Sequence, residues 1–177
     1  DVDQVISIFN ALLRLAEIDT GMRRSGFMDV DLSDLCARAV EFYVPAAEVR
    51  DITLTYQDEA GSLHAAGDQL LLAQAVNNLI DNALKYTPPG GTVTVSTVHA
   101  GGDHAGIVVT DTGPGMTAAQ RARATERFFR GDASRGTPGV GLGLSLVQAV
   151  ARLHGGSLEF ADQQPGLVAT VRFPRQA

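Results

Sequence analysis

Residues 77–86 read NNLIDNALKY, and Lys85 is the only lysine in the chain. Asn78, Asn82 and Lys85 are spaced by four and three residues, so at about 100° per residue they fall on one side of a helix. Leu72, Val76, Leu79 and Ala83 mark the other, apolar side. Two amides and an ammonium in a row are not needed for packing. They suit a metal and an anion. The periodic segment begins at Asp68 and is stopped by Pro88-Pro89-Gly90-Gly91, which predicts a helix over 68–86.

Two glycine-bearing runs lie further along the chain. Asp111-Thr112-Gly113-Pro114-Gly115-Met116 follows the apolar stretch Gly106-Ile107-Val108-Val109, and Gly139-Val140-Gly141-Leu142-Gly143-Leu144 opens a periodic segment that runs to Leu153. A carboxylate ending an apolar strand wants a donor. An adenine amino group is one, whereas a guanine carbonyl at that place would repel it. Gly113 and Gly115 permit a tight turn and close approach to a flat base. Asn82 offers a neutral amide oxygen, and Mg²⁺ takes oxygen ligands while keeping waters and substrate phosphates. Lys85 would meet a phosphate as a point charge. Gly139, Gly141 and Gly143 expose amides at a helix start, where the dipole favours phosphate. The spacing is G-x-G-x-G after a polar stretch, which fits a dinucleotide-binding fold poorly, and no G-x-x-x-x-G-K-[ST] exists. Read singly, the helix row is also compatible with a solvated face, and the Asp111 run with a capped turn.

Polar helix, strand-then-glycine turn and glycine-rich helix start, in that order, resemble the N box, G1 box and G2 box of the ATP-binding domain of two-component sensor histidine kinases. The resemblance covers residues 30–174. It implies ATP and Mg²⁺ as ligands. Asn82 would hold the metal, Asn78 would support the phosphates, and Tyr86 would lie along the base. Asp111 would accept the adenine N6 hydrogen bond, with Gly113, Gly115 and Met116 forming the turn beside it. Gly139, Gly141, Leu142, Gly143 and Leu144 would line the phosphates, and Thr170 matches a threonine near the base. Glu126–Asp132 resembles the F box, with Thr125 where the family usually has phenylalanine. Residues 117–138, with five arginines, read as a lid. Arg127 or Arg130 would reach the terminal phosphate when it closes. For most of these arginines, solvent exposure is the plain reading. Asn78, Asn82, Lys85 and Arg130 form the expected catalytic group.

Val5, Ile8, Leu12 and Leu15 repeat at helical spacing, with Phe9, Leu13 and Ala16 beside them. LLRLAEIDTG at 12–21 resembles the end of the second helix of the dimerisation and phosphoacceptor bundle. The plain alternative is a helix packed on its own domain. The expected division is residues 1–24 as that helix end and 25–177 as the catalytic domain. The chain begins at Asp1-Val2-Asp3 without an initiator methionine and is read as a fragment. His64, His99 and His104 precede alanine and His154 precedes glycine, so none matches a histidine–acidic acceptor pair. His154 reads as a helix C-terminal residue favoured by the dipole.

The resemblance therefore implies γ-phosphoryl transfer to a histidine outside this chain, on the dimerisation domain of a homodimeric parent. A response regulator receiver domain would be the next partner, and the domain would lie on the cytoplasmic side of an inner-membrane-anchored parent. Three rivals share the nucleotide site. An ATPase of the same fold carries a glutamate base four residues before the metal asparagine, where this chain has Asn78. A serine kinase and a regulatory module without activity are the others.

A formal net charge of −6 argues against nucleic acid. The chain is 45% hydrophobic, enough for a sizeable core. Cys36, the single cysteine, reads as a small packed residue. No run of about 18 apolar residues occurs. Short strands are predicted at 27–30, 52–56, 92–98, 105–111, 158–161 and 167–173, with helices from 31 and 68 and from the second glycine run. The expected fold is α+β: a two-layer α/β sandwich, its mixed five-stranded sheet covered on one face by three helices, with an N-terminal helical extension.

Overall fold

The computed structural model describes residues 27–126 and 143–175, together with Val2, Ile6, Phe9, Asn10, Leu13 and Ala16 of an N-terminal helix. The chain runs β1 (Met28–Asp31), α1 (Leu32–Val49), β2 (Thr53–Asp58), β3 (His64–Gly67), α2 (Gln69–Tyr86), β4 (Thr92–His99) and β5 (His104–Asp111). It continues through a short α3 (Ala118–Arg123) to α4 (Gly143–Leu153), β6 (Ser157–Asp162) and β7 (Leu167–Pro174). The main sheet has the order β2-β4-β5-β7-β6. It is mixed because β2 pairs parallel to β4 while the other neighbours are antiparallel.

Strand alternation divides the sheet into two faces. Val93, Val95, Ile107, Val109, Ala169, Val171 and Phe173 are buried on one face, against Leu72, Val76, Leu79 and Ala83 of α2 and Leu146, Val147 and Val150 of α4. Thr55, Thr94, Val108 and Thr170 belong to the alternate set and lie on the other face. An antiparallel sheet tolerates one face left to water. The two-layer reading of the sequence therefore holds.

β3 was not legible. Its sequence, His64-Ala65-Ala66-Gly67, carries no β-branched residue. It is a strand because β1 pairs with it, in a separate two-stranded ribbon running from Met28↔Gly67 to Asp31↔His64. Asp31 then caps α1 by accepting from Asp34 N–H at 3.0 Å. At the far end of α1, Arg50 donates to Leu84 O at 2.8 Å and so satisfies a carbonyl of the last turn of α2. Cys36 is fully buried, and burial pushes its thiol up to about 12, which leaves it an inert packing group.

Val2, Ile6, Phe9 and Leu13 follow one another at four, three and four residues on their helix, and all are exposed. Their apolar stripe is thus uncovered within the described residues. Among the described residues no helix is long and apolar enough to cross a membrane.

Candidate functional site

Asp111 is the last residue of β5, on the helix-covered face, and is only 8% exposed. Its Oδ1 accepts from Gly113 N–H at 2.9 Å, and Leu167 N–H donates to the carboxylate as well. Burial raises its pKa above the ordinary carboxylate value. The two N–H bonds oppose that shift but do not cancel it. Asp111 therefore both caps its own turn and presents a desolvated carboxylate.

Three glycines let the surrounding backbones come this close. A Cβ on Gly113 would stand 2.8 Å from Tyr86 O, so the end of α2 rests on the Asp111 turn. Gly115, at φ +72°, lies where a Cβ would be 2.7 Å from Gly166 O. Gly166, at φ +116°, would drive a Cβ into the carbonyl of Asp111. Helix end, strand-end turn and β6–β7 turn thus interlock. α3 is tied to the same turn: Thr117 and Gln120 form a capping box, and Arg121 donates to Met116 O at 2.6 Å.

Along α2, the row predicted from spacing is present and half-buried, while Leu72, Val76, Leu79 and Ala83 are core. Asn78 accepts from Gln74 Nε2 at 3.3 Å and donates to Gly143 O at 3.4 Å, which joins α2 to the first residue of α4. Lys85 pairs with Asp81, one turn back, at 3.0 Å. The Asn82 amide makes no hydrogen bond to a described residue. A free, half-exposed amide oxygen is a suitable hard ligand for Mg²⁺. No group of three or more His, Cys, Asp or Glu side chains able to hold a metal occurs among the described residues.

The structure therefore places two groups along α2: Asn78 meets Gly143, beside Leu144 at the start of α4, and Tyr86 at the helix end meets the turn of Asp111, Gly113, Gly115 and Met116, with Asn82 and Lys85 lying between them on the helix. Arg130, Gly139, Gly141, Leu142 and most of the expected lid lie outside the described residues. Thr170 is a correction. It pairs with Val108 on the sheet face away from the helices, whereas Asp111 lies on the covered face with Val109 and Ala169. The alternation of a strand keeps Thr170 out of the site; Leu167, three residues earlier, is the one that reaches Asp111.

His154 directly follows α4, as its reading as a helix C-terminal residue expects, and its Nδ1 faces Val150 O of the last turn at 2.7 Å. The ring does more than end the helix: its Nε2 accepts from Asp68 N–H at 3.1 Å, and it is stacked on Phe27 and edge-on to Phe173, which clasps α4 to the start of α2.

Reading the sequence also missed what Arg121, Gly166 and the Leu167 N–H do at this turn. Gly166 was visible only as a turn residue. The role of Leu167 is carried by backbone, which leaves no signature in residue type.

Residues 67–177 match the family described as histidine kinase-, DNA gyrase B-, and HSP90-like ATPase. The chain is 40% identical over 137 residues to the signal transduction histidine-protein kinase/phosphatase MprB of Mycolicibacterium smegmatis, covering 77% of this chain and 27% of that protein. It is 36% identical over 167 residues to the sensor protein QseC of Escherichia coli, covering 93% of this chain and 35% of QseC. Among solved structures, a mycobacterial sensor histidine kinase MprB superposes with a TM-score of 0.71 at 35% identity, covering 85% of this chain and 99% of that one. The chain thus spans about a third or less of these curated relatives.

Proposed function

Since this chain belongs to the histidine kinase-, DNA gyrase B-, and HSP90-like ATPase family, and within it to the catalytic domains of sensor histidine kinases, we propose that it binds Mg²⁺–ATP between α2 and the Asp111 turn and passes the γ-phosphoryl group to a histidine outside residues 1–177. The observation that carries this reading is the buried carboxylate of Asp111, locked by glycines against the end of the helix that bears Asn82 and Lys85.

Asp111 accepts from the adenine amino group. Lys85 leaves Asp81 for a phosphate, an exchange that costs little because both partners are partly exposed. Asn82 holds Mg²⁺, which offsets phosphate charge when bound. Asn78 keeps the start of α4 against α2, so the amides following the second glycine run face the phosphates. Arg130 supplies a further cation to the terminal phosphate. Catalysis is then positioning and charge stabilisation. Asn78 cannot take a proton from water, so hydrolysis is slow and the bound nucleotide is kept for transfer.

The partners we assign are the histidine-bearing dimerisation domain of a homodimeric parent and a response regulator receiver domain. The parent is anchored in the inner membrane with this domain on the cytoplasmic side. The test uses γ-labelled ATP. The chain alone should acquire no acid-labile label, whereas adding the parent's dimerisation domain should give weak transfer in trans, the linkage that raises effective concentration being absent. Strong acid-labile label on His64, His99, His104 or His154 of the isolated chain would show that the acceptor has been misplaced.

A further inference from the structure

The polar row on α2 begins one turn before Asn78. Gln74, Asn78, Asn82 and Lys85 follow one another at four, four and three residues, and all four are half-buried. Gln74 is joined to the row by a hydrogen bond: its Nε2 donates to Asn78 Oδ1 at 3.3 Å. Asn78 in turn donates from Nδ2 to Gly143 O at 3.4 Å, at an exposed place where α2 meets the first residue of α4. The backbone decides the direction of both bonds. Gly143 O is a carbonyl and can only accept, so it takes the Asn78 nitrogen. With the Asn78 amide reversed, oxygen would face oxygen. The Asn78 oxygen is therefore turned back along the helix, where Gln74 supplies the donor it needs. Both bonds are long, so neither alone holds the amide firmly.

This arrangement sorts the chemistry of Asn78. Its oxygen, the atom that suits a cation, is spent on Gln74. Its nitrogen carries two hydrogens and gives one to Gly143, which leaves a donor for an anion. We infer that Gln74 is a positioning residue for the nucleotide phosphates, fixing the Asn78 amide with its nitrogen towards the start of α4. The inference rests on the nucleotide reading above and names the side chain that aims Asn78. Gln74 needs no contact with phosphate and acts through Asn78. Without it, the amide is free to turn its oxygen towards the phosphates, which repels them, and to let go of Gly143.

Calorimetry with ADP and adenosine tests this, on Gln74→Met and Gln74→Glu with and without Asn78→Ala. Methionine keeps the side-chain length and suits a helix but cannot donate. Gln74→Met should weaken ADP about three- to tenfold, the worth of one neutral hydrogen bond, and leave adenosine unchanged. Gln74→Glu should cost more, because a carboxylate only accepts and draws the Asn78 nitrogen back along the helix. In the Asn78→Ala background Gln74→Met should cost nothing further, and Gln74→Glu only what its charge costs. In the ligand-free chain, the NMR signals of the Asn78 side-chain amide should move on Gln74→Met. Equal ADP affinity for the unmodified chain and Gln74→Met overturns the inference. So does an equal loss for adenosine, which would mark a residue that only holds the helix, or a loss that persists in Asn78→Ala. If the unmodified chain binds no ADP, the nucleotide reading itself fails, whereas an unmoved Asn78 amide signal sinks the positioning role on its own.

Discussion

At the end of the site proposed for the base, Asp111 is 8% exposed, its backbone neighbours interlock through Gly113, Gly115 and Gly166, and a substituent on any of the three has nowhere to go. At the end proposed for the phosphates, Lys85 and Asp81 are 31% and 47% exposed, and their pair is a surface contact between two flexible side chains. Asn78 reaches Gly143 at 3.4 Å, a long hydrogen bond. One end is rigid and carries an electrostatic cost in the absence of ligand. The other holds its groups loosely. A base is one fixed, flat shape and rewards a prepared socket, whereas phosphates move and change charge during transfer and reward replaceable partners.

The largest effect should come from the rigid end. Asp111→Ala removes a hydrogen bond to a charged group, worth about 1.5–3 kcal/mol, and should weaken ATP roughly ten- to a hundredfold. Asp111→Asn keeps an oxygen for the Gly113 and Leu167 N–H groups, loses the charge, and should bind ATP poorly while melting no lower than the unmodified chain. The sign follows from linkage. Burial raises the folded-state pKa of Asp111 above the ordinary 3.8. Its contribution to stability is therefore fully present below the unfolded pKa and is lost as pH rises through the folded one. At neutral pH the ionised group is a net cost, and neutralising it relieves that cost. ATP affinity has the opposite dependence, falling as pH drops into the raised carboxylate range. Calorimetry across pH and thermal melts check both. An Asp111→Asn variant that melts well below the unmodified chain would contradict the account of a strained base end.

Gly115→Ala should come next. At φ +72° a Cβ costs about 1–2 kcal/mol on conformation alone. Here it also meets Gly166 O at 2.7 Å, so the β6–β7 turn must shift. Chemical denaturation should show a loss of about 2 kcal/mol, and ADP affinity should fall with it because the same turn holds Asp111. Unchanged stability would mean that the base end is looser than its packing indicates.

These contrasts also govern what the sequence made legible. The α2 row was readable because helical spacing alone decides which residues share a face, and Asn78, Asn82 and Lys85 do. Asp111 was readable because a carboxylate closing an apolar strand is chemically out of place. Thr170 was misplaced because a residue match ignores strand parity, and parity decides the face. Gly166 was passed over because its role depends on which loop packs on which. That is fixed only when β7 folds back beside β5. His154 was readable as a helix-end residue, but not as a clasp, because its partner, Asp68 N–H, lies 86 residues away in the chain.

At the loose end the effects should be smaller and selective. Lys85→Ala should weaken ATP about three- to tenfold and leave adenosine unaffected, since an exposed ammonium acts on phosphate as a point charge. An equal loss for adenosine would assign Lys85 to holding the helix and not to the phosphates.

The smallest effect should be a gain. Asp81 holds Lys85 at 3.0 Å from one helical turn away and would compete with a phosphate for it. Pairs this exposed are worth about 0.2–1 kcal/mol, so the competition is weak. Asp81→Asn frees the ammonium and removes one negative charge close to where the phosphates would lie. ATP affinity should rise about twofold, with a smaller rise for ADP and none for adenosine. Raising the salt concentration should shrink the gain, because both the competition and the repulsion are screened at the surface. A loss of ATP affinity in Asp81→Asn would instead mean that the carboxylate orients Lys85 towards the phosphates, and the phosphate end would then be as prepared as the base end.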